Sequence, residues 1–523
     1  MRRSHPPTLP VAPAGTHPSP EVRATPSSGR VLAMTRRWLF ADQLGPQYLD
    51  RPDQQVLLIE AQQVLRRRRF HRAKAHLLLS ALRHRAAELG QQALYLQVDG
   101  YDEALDQVDG DLDCLQPRSY GADRFVRSRG IAVLPDDRGF ATTREDFGAW
   151  AHGRKRLLQE DFYRWQRTRH DVLMEGTDPV GGTWNLDHDN RQRPPRTATL
   201  GLTEPWFPVE DEVDHQVRED LDRWQRDGLV EFVGADGPRW SAATRTEALA
   251  ALDHFVTHRL PDFGPTEDAM LAGDPWMAHS ALSPALNLGL LHPLEAVQAA
   301  EQAYRDGAAP LNSVEGYVRQ VLGWREYVWS IYWHVPRDYR RRNALSATRD
   351  VPAWFRDLDP AQEVTANCLR SVLADVRERG WAHHIPRLMI LSSYALQRGW
   401  DPAQMTEFFH LAFVDGYDWV MLPNVVGMSQ HADGGLMATK PYTSGGAYVN
   451  RMSDYCAPCA YDPKVRVGPT ACPFTAGYWS FLDRNADRLQ DNIRMRPALR
   501  GLDRLVDRDQ VVRQEAERGD APP

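Results

Sequence analysis

The sequence has few cysteines, no long hydrophobic run and little net charge for its length. Five cysteines among 523 residues are too few for the disulfide framework of a small secreted protein. No stretch reaches the ~18 consecutive apolar residues of a membrane-spanning helix, so we expect no membrane segment. A net charge of −7 excludes a uniformly basic, histone-like protein but allows a local basic groove. The composition is that of a globular protein of about two to four domains.

Both ends of the chain are predicted to be tails, at 1–35 and 511–523. The first contains seven prolines among small residues and arginine, and it buries too little apolar surface to offset the entropy lost on ordering. It lacks the apolar central stretch of a secretory signal. Its composition fits an organelle transit peptide or a start codon assigned too far upstream. We expect a cytoplasmic protein.

Short apolar runs alternate with helical patterns over residues 36–165. The runs lie at 37–44, 56–60, 93–98 and 131–135, and residues 73–89 have helical periodicity. Strands that alternate with helices predict parallel βαβ units, and therefore a Rossmann-like α/β domain. No G-x-G-x-x-G motif follows the first run, so the ordinary dinucleotide-binding fingerprint is missing.

The second half of the chain has helical periodicity throughout. A mixed segment at 166–245 is predicted to be an interdomain connection, and residues 246–510 an all-helical domain. The predicted helices cover residues 246–260, 294–306, 314–333, 361–379, 387–397 and 403–414.

Four of the five cysteines lie in this helical half. Cys456, Cys459 and Cys472 form a C-x2-C-x12-C pattern followed by proline, and Cys368 lies upstream. Four thiolates complete a tetrahedral site, and on spacing alone zinc and a [4Fe–4S] cluster fit equally well. Buried, unligated thiols are the alternative. Cys114, in the α/β half, is predicted to be a small core residue.

Three other segments carry candidate ligand-binding residues. Residues 279–287 open a helix, where hydroxyls and free N–H groups can hold phosphate, although ordinary N-capping is the preferred interpretation of this segment taken alone. Arg325 could neutralise a phosphate or form a surface ion pair. His383 and His384 precede a helix. Adjacent helical residues point ~100° apart, so we do not expect both to bind one metal, and a packed core role is the alternative.

Several short motifs occur in a fixed order along residues 37–510. They are Asp42-Gln43-Leu44, Gly181-Gly182-Thr183-Trp184-Asn185, His279-Ser280, Gly323-Trp324-Arg325-Glu326-Tyr327, His383-His384-Ile385, Pro423-Asn424-Val425-Val426-Gly427-Met428, Ala432-Asp433-Gly434-Gly435 and Lys440-Pro441-Tyr442. Together with the four cysteines, they resemble the iron–sulfur bacterial cryptochrome and photolyase family, the prokaryotic (6-4) photolyases.

The resemblance implies an N-terminal α/β antenna domain and a C-terminal helical domain that binds FAD. It assigns a [4Fe–4S] cluster to Cys368, Cys456, Cys459 and Cys472. Many members also carry a 6,7-dimethyl-8-ribityllumazine antenna in the α/β domain. An acidic residue usual near that site is missing at 63–65. The basic run at 66–69 is interpreted as a solvated helix face. Whether this chain carries the antenna is therefore left undecided.

The resemblance also implies a set of FAD-binding residues. They are Ser280, Leu282, Ser283, Arg325, Arg387, Asp415 and Asn424. The first three would hold the phosphates, with Arg325 facing the same region. Arg387 and Asp415 would pair beside the isoalloxazine ring and position hydrogen bonds to it.

The implied reaction is the light-driven repair of pyrimidine–pyrimidone (6-4) photoproducts by an electron from excited reduced FAD. His384, with His383 beside it, would be the catalytic acid, because a histidine can be cationic near neutral pH. Tyr442 would contact the lesion, which leaves the duplex to reach the flavin. The alternative is a cryptochrome-type blue-light photoreceptor with the same cofactors and little repair.

The implied partner is UV-damaged DNA, bound by a monomer. The five arginines within 335–349 are predicted to contact phosphates. Trp184, Asn190 and Arg191 could approach the DNA, or could instead have a structural role between the domains.

One departure from the family concerns electron transfer. The family often has Trp-Tyr where this chain has Phe408-Phe409. Phenylalanine is a poor redox relay, so the sequence does not identify the path by which electrons reach the flavin. The candidate substitutes are Trp354, Trp381, Trp400 and Trp419.

Overall fold

Five short strands form one parallel sheet in the computed structural model, which describes residues 35–523. They are β1 (Arg36–Trp38), β2 (Val56–Ala61), β3 (Ala93–Val98), β4 (Leu112–Leu115) and β5 (Ala132–Leu134), in the order β3-β2-β1-β4-β5. The predicted parallel α/β fold is confirmed. Residues 1–34 of the tail predicted at 1–35 lie outside the described residues.

One strand, β4, was not predicted. It has only four residues, and Asp113 interrupts its apolar pattern. Its place beside β1 is supported by the buried Arg37, which pairs with Asp113 across the two strands. Cys114 is completely buried in this strand, as a small core residue should be.

Helices cover the sheet and continue to the end of the chain. Those of the first half are α1 (Gln62–Arg66), α2 (Arg72–Leu89), α3 (Tyr101–Leu105), α4 (Tyr120–Ser128), α5 (Arg144–Ala151), α6 (Gln159–His170) and α7 (Glu212–Arg226). A small hairpin, β6 (Met174–Glu175) and β7 (Asp178–Pro179), separates α6 from α7.

The helical half contains fifteen further α-helices among the described residues. They are α8 (Arg245–His258), α9 (Leu260–Thr266), α10 (Ser283–Asn287), α11 (Pro293–Arg305), α12 (Leu311–Val318), α13 (Glu326–His334), α14 (Ala353–Arg356), α15 (Asn367–Arg379), α16 (Ser393–Arg398), α17 (Pro402–Ala412), α18 (Asp418–Leu422), α19 (Gly446–Met452), α20 (Pro473–Leu489), α21 (Arg496–Asp503) and α22 (Arg508–Arg518). No described helix has the length and hydropathy needed to cross a bilayer.

The segment predicted as a connection contains α7, which packs on α2. Val217, Leu221 and Trp224 share a buried cluster with Ala75 and Leu79. The helix starts with a capping box at Asp211, which explains why a segment so rich in charge still forms a stable helix.

Ion pairs join the α/β half to the helical half. Arg68 and Arg69, interpreted from sequence as a solvated face, remain about half exposed but pair with Glu407 at 3.3 Å and Asp357 at 3.1 Å. The buried Lys74 of α2 donates to the carbonyl of His410 at 2.6 Å, and burial lowers its pKa to about 7. The basic run therefore helps to join the two halves.

The C-terminal residues 511–523 are not a tail, contrary to our prediction. Glu515 of α22 forms a buried ion pair with Arg398 of α16. The indole N–H of Trp354 donates to the carbonyl of Asp520 at 2.7 Å, and that of Trp400 to its carboxylate at 3.1 Å. The sequence of this segment is too polar to reveal its buried face, because that face is an ion pair rather than an apolar stripe.

We expect Glu515→Ala to lower the free energy of unfolding by ~3–5 kcal/mol, because it leaves Arg398 buried without its counter-charge. Chemical denaturation measures this loss. Glu517→Ala, at an exposed position of the same helix, is the control and should change stability by less than ~0.5 kcal/mol. Equal stability of both variants would contradict the docking of α22.

Candidate functional site

A large cavity opens into the helical half, with a volume of about 1200 Å³. This is more than the ~300–1,000 Å³ usual for one small-molecule pocket. Three π-helical segments contribute to its wall, Arg319–Arg325, Pro386–Ser392 and Pro423–Ser429. Such wide turns are rare and occur frequently at functional sites. The cavity is therefore the candidate site.

The predicted ion pair between Arg387 and Asp415 lies in this wall. The guanidinium binds the carboxylate through both oxygens, at 2.8 and 3.0 Å. Ser283 donates its hydroxyl to Asp415 at 2.7 Å, and Arg387 stacks over the ring of Phe413 at 4.3 Å. This rigid arrangement presents fixed hydrogen-bonding groups to a planar ligand; its role toward a flavin stays a prediction.

Ser280, Leu282 and Ser283 all line the cavity, but they are not a typical helix start. The helix that follows, α10, has five residues, and no side chain caps its N-terminus. The hydroxyl of Ser283 is already bound to Asp415, and the side chain of Leu282 is buried. Phosphate binding by these residues would therefore depend on Ser280 and on backbone N–H groups.

Arg325 and Asn424 also line the cavity. Arg325 is buried against Phe140 of the α/β half, 4.4 Å from its ring, and burial lowers its pKa to about 10. It pairs with Glu326 at 2.9 Å, so it is not the surface residue that one interpretation of the sequence allowed. Asn424 donates its side-chain amide to the carbonyl of Val420 at 2.8 Å.

Three histidines meet on one side of the cavity. The ring of His279 stacks on that of His383 at 4.3 Å, and His384 meets His279 edge-on at 5.4 Å. One nitrogen from each ring lies within 4.8 Å of the others. We expected His383 and His384 to diverge; they converge because His383 lies before the helix begins. Sequence reasoning had placed His279 only in the phosphate segment.

The three histidines differ in burial and in their charged neighbours. Burial lowers the pKa of His279 and His383 well below the usual range, so both are neutral at pH 7. His384 is 43% exposed, and its Nε2 lies 3.7 Å from the Asp268 carboxylate. His384 therefore has both access to the cavity and an anionic partner.

A buried polar network forms the wall beside these histidines. Arg319 lies 3.2 Å from Glu315, 3.2 Å from Asp187 and 3.7 Å from Glu267. Burial raises the pKa of Glu267. Sequence reasoning missed this network, because its members are separated by up to 132 residues and no local motif connects them.

The cavity is lined by basic side chains from outside the predicted segment 335–349. No residue of 335–349 lines the cavity within the described part of the chain. Arg340 of that segment pairs with Asp418, and Arg349 pairs with Asp520 at 2.7 Å. The exposed cations that line the cavity are Arg191, Lys440, Arg451 and Lys464, around Tyr442.

The two remaining residues of the connection have structural contacts. Asn190 is buried and donates to the carbonyl of Asn312 at 2.9 Å. Trp184 lies beneath the guanidinium of Arg167 at 5.2 Å. Of the three residues considered for DNA contact, only Arg191 lines the cavity.

The four cysteines of the helical half surround a second, small pocket. Cys368 comes from α15, Cys472 directly precedes α20, and Cys456 and Cys459 lie in the loop between α19 and α20. All four are free thiols, and their mutual proximity and burial raise the pKa of Cys368 well above its usual range. No three of these described sulfurs lie within 4.8 Å of one another.

Aromatic side chains lead away from the cavity in several directions. Phe409 lines it, and beyond it Phe408, Phe355 and Trp400 follow at ring separations of 5.4, 4.8 and 4.9 Å. Trp381 also lines the cavity and stacks on Trp276 at 4.6 Å.

Comparison with known proteins identifies the fold and the family. The family model described as deoxyribodipyrimidine photo-lyase-related protein matches residues 37–229. A protein of Agrobacterium fabrum named (6-4) photolyase is 40% identical over 483 residues, 87% of this chain and 93% of that protein. The chain belongs to the photolyase-related family. Its membership confirms the resemblance inferred from the sequence.

Solved photolyase-fold structures agree with the fold. A class III photolyase of Agrobacterium tumefaciens superposes with a TM-score of 0.55 at 14% identity, covering 94% of this chain and 98% of that one. A cryptochrome of Synechocystis gives a TM-score of 0.51 at 14% identity, covering 80% and 86%. The α/β plus helical architecture is therefore that of the photolyase family.

Membership in the photolyase-related family implies FAD as cofactor, and the cavity fits it. Buried polar atoms at its wall have no partner within the described protein: Nε of Arg325, the hydroxyl of Tyr317, Nε2 of His279 and Nδ1 of His383. Unsatisfied buried groups are costly, so a polar ligand at this wall would stabilise them.

Proposed function

We propose that this protein is a light-driven enzyme that repairs pyrimidine–pyrimidone (6-4) photoproducts in DNA. The observation that carries the proposal is the single cavity, which is lined by both the Arg387–Asp415 pair and the histidine cluster. A cofactor against the pair and a lesion against His384 would lie next to each other. The 40% identity to a protein named (6-4) photolyase supports this reaction.

The FAD site would be built from the walls described above. Arg387 and Asp415 would hold the isoalloxazine ring, with Asn424 close to it, and Ser280, Leu282 and Ser283 would lie along the phosphates. When bound, FAD supplies the light-driven electron. The ion pair keeps its hydrogen-bonding groups fixed, so that they need not reorganise when a charge develops on the ligand.

His384 would act as the general acid. It is exposed to the cavity, and its Nε2 lies 3.7 Å from the Asp268 carboxylate, which would hold the ring in position. His279 and His383 are neutral because of burial, so they would orient His384 rather than donate the proton. Tyr442, at the basic mouth, would contact the lesion.

The DNA would bind over the cavity mouth, where Arg191, Lys440, Arg451 and Lys464 are exposed. Phosphate contacts by these side chains would make binding depend steeply on salt. The lesion would enter the cavity by flipping, which damage makes less costly. One chain supplies the cavity, the histidines and the basic mouth, so a monomer suffices.

The cysteine quartet would hold a [4Fe–4S] cluster. Four thiolates around one zinc at ~2.3 Å require sulfur separations of about 3.8 Å. No three of the described sulfurs lie within 4.8 Å of one another, so they do not form the compact tetrahedron that one zinc ion requires. A larger metal centre fits this spacing better than zinc does, which favours the cluster among all-cysteine sites.

A 6,7-dimethyl-8-ribityllumazine antenna stays a prediction of the family resemblance. Helix α1, whose segment 63–65 would border the antenna site, contains no carboxylate. Mass spectrometry of the chromophores released from purified protein decides whether lumazine accompanies FAD.

The decisive test is illumination of purified, reduced protein with a (6-4)-containing oligonucleotide, followed by product chromatography. We expect restored pyrimidines in the light and none in the dark. An oligonucleotide with a cyclobutane dimer is the substrate control. A protein that binds FAD and responds to light but returns no pyrimidines would overturn repair and favour a photoreceptor.

We expect electrons to enter the cavity slowly through the phenylalanine pair, because Phe408 and Phe409 separate it from Trp400. Phe409→Tyr should therefore accelerate flavin photoreduction, followed by absorbance. If Trp381 is the substitute relay, Trp381→Phe should slow photoreduction several-fold, whereas Trp354→Phe should not. Unchanged rates in Phe409→Tyr and Trp381→Phe would place the path elsewhere.

A further inference from the structure

One largely exposed apolar side chain lies in a turn that is hydrogen-bonded to the segment leading into the cavity wall. Ile493, in the turn between α20 and α21, is 73% exposed. The turn itself is firmly anchored, since Leu489 before it and Met495 after it are buried. The backbone N–H of Met495 donates to the carbonyl of Asn492 at 2.9 Å. Ile493 is therefore held outward by an ordered turn.

The neighbours of Ile493 connect this turn to the cavity mouth. Asn492 donates its amide to the carbonyl of Thr439 at 3.0 Å, and Arg494 donates to the hydroxyl of Thr439 at 2.6 Å. Thr439 directly precedes Lys440, which lines the cavity. Ile493 thus lies between two residues that are both fixed to the mouth.

The surroundings of Ile493 are basic. Arg494 and Arg496 follow it in the chain, and both are exposed. Arg494 also acts on Tyr442 inside the mouth, where its charge opposes the rise in the pKa of that phenol. An exposed apolar side chain next to exposed arginines suits a partner that carries phosphates on its outside and stacked bases inside.

We propose that Ile493 is a wedge that enters the DNA stack where the flipped lesion leaves a gap. The inference rests on the proposed function, because it needs a lesion in the cavity. Removing a base from the duplex leaves two stacked neighbours apart, and apolar side chains inserted between base steps are a common way to hold DNA in such a shape. Arg494 and Arg496 would contact the phosphates beside the gap.

The test compares binding of Ile493→Ala to duplex and single-stranded oligonucleotides that carry the same (6-4) lesion, in the dark. Loss of the wedge should weaken duplex binding about tenfold, because apolar contact with one base is worth ~1–3 kcal/mol. Single-stranded binding should stay unchanged, since no stack has to be held open. With 2-aminopurine opposite the lesion, the variant should also show a smaller rise in fluorescence than the parent.

Ile493→Leu should restore duplex binding, and Val506→Ala is the matched control. Val506 is an apolar residue, 95% exposed, in the turn at the other end of α21. Equal losses on duplex and single strand, or none on either, would overturn the wedge. Failure of the proposed function is a different result, in which the parent protein itself does not repair or prefer damaged DNA.

Discussion

His384→Ala should lose nearly all repair of (6-4) lesions, because a general acid typically contributes ~10²–10⁴ in rate. The side chain is half exposed to the cavity and is not part of the Arg387–Asp415 pair or the cysteine quartet. The variant should therefore keep its flavin, its iron and its affinity for damaged DNA. Product chromatography after illumination measures the loss.

His152→Ala, at an exposed position outside the cavity, is the control and should repair at the parental rate. If His384 were only a packing residue, the variant would lose cofactor and thermal stability together with repair. Repair at a near-parental rate by His384→Ala would contradict the mechanism and would bring the photoreceptor hypothesis forward.

Replacement of any one quartet cysteine by alanine should give protein that is poorly soluble and lacks iron. Metal ligation contributes to folding, and Cys368 and Cys472 connect α15 to the start of α20, so loss of one ligand would loosen that whole region. The parent protein should contain about four iron and four sulfide ions per chain. Elemental analysis and a sulfide assay measure both.

Cys114→Ala is the control for the quartet. Cys114 is also buried, but it lies in β4 of the α/β half, whereas the second pocket lies in the helical half. This variant should keep its iron, its flavin and nearly all of its stability. Stoichiometric zinc without sulfide in the parent protein would show the cluster assignment to be wrong.

The sequence by itself determined the family, the fold class and most of the proposed ligands. Strands such as β2 and β3 are continuous apolar runs, so their periodicity reveals a parallel sheet. The cysteine spacing is a local pattern, so it can be recognised from the sequence alone. Arg387 and Asp415 were named from family motifs, and the structure brings them together as a bidentate pair.

Only the tertiary structure decided which charged side chains form ion pairs and which residues line the same cavity wall. Of the five arginines within 335–349, Arg340 and Arg349 pair with carboxylates from distant segments. The exposed cations that line the cavity come from other parts of the chain. His279 joins the other histidines from a hundred residues away. These facts depend on long-range contacts, which no local pattern encodes. The C-terminal helix is docked for the same reason, since its partner for Glu515 is a buried arginine of α16.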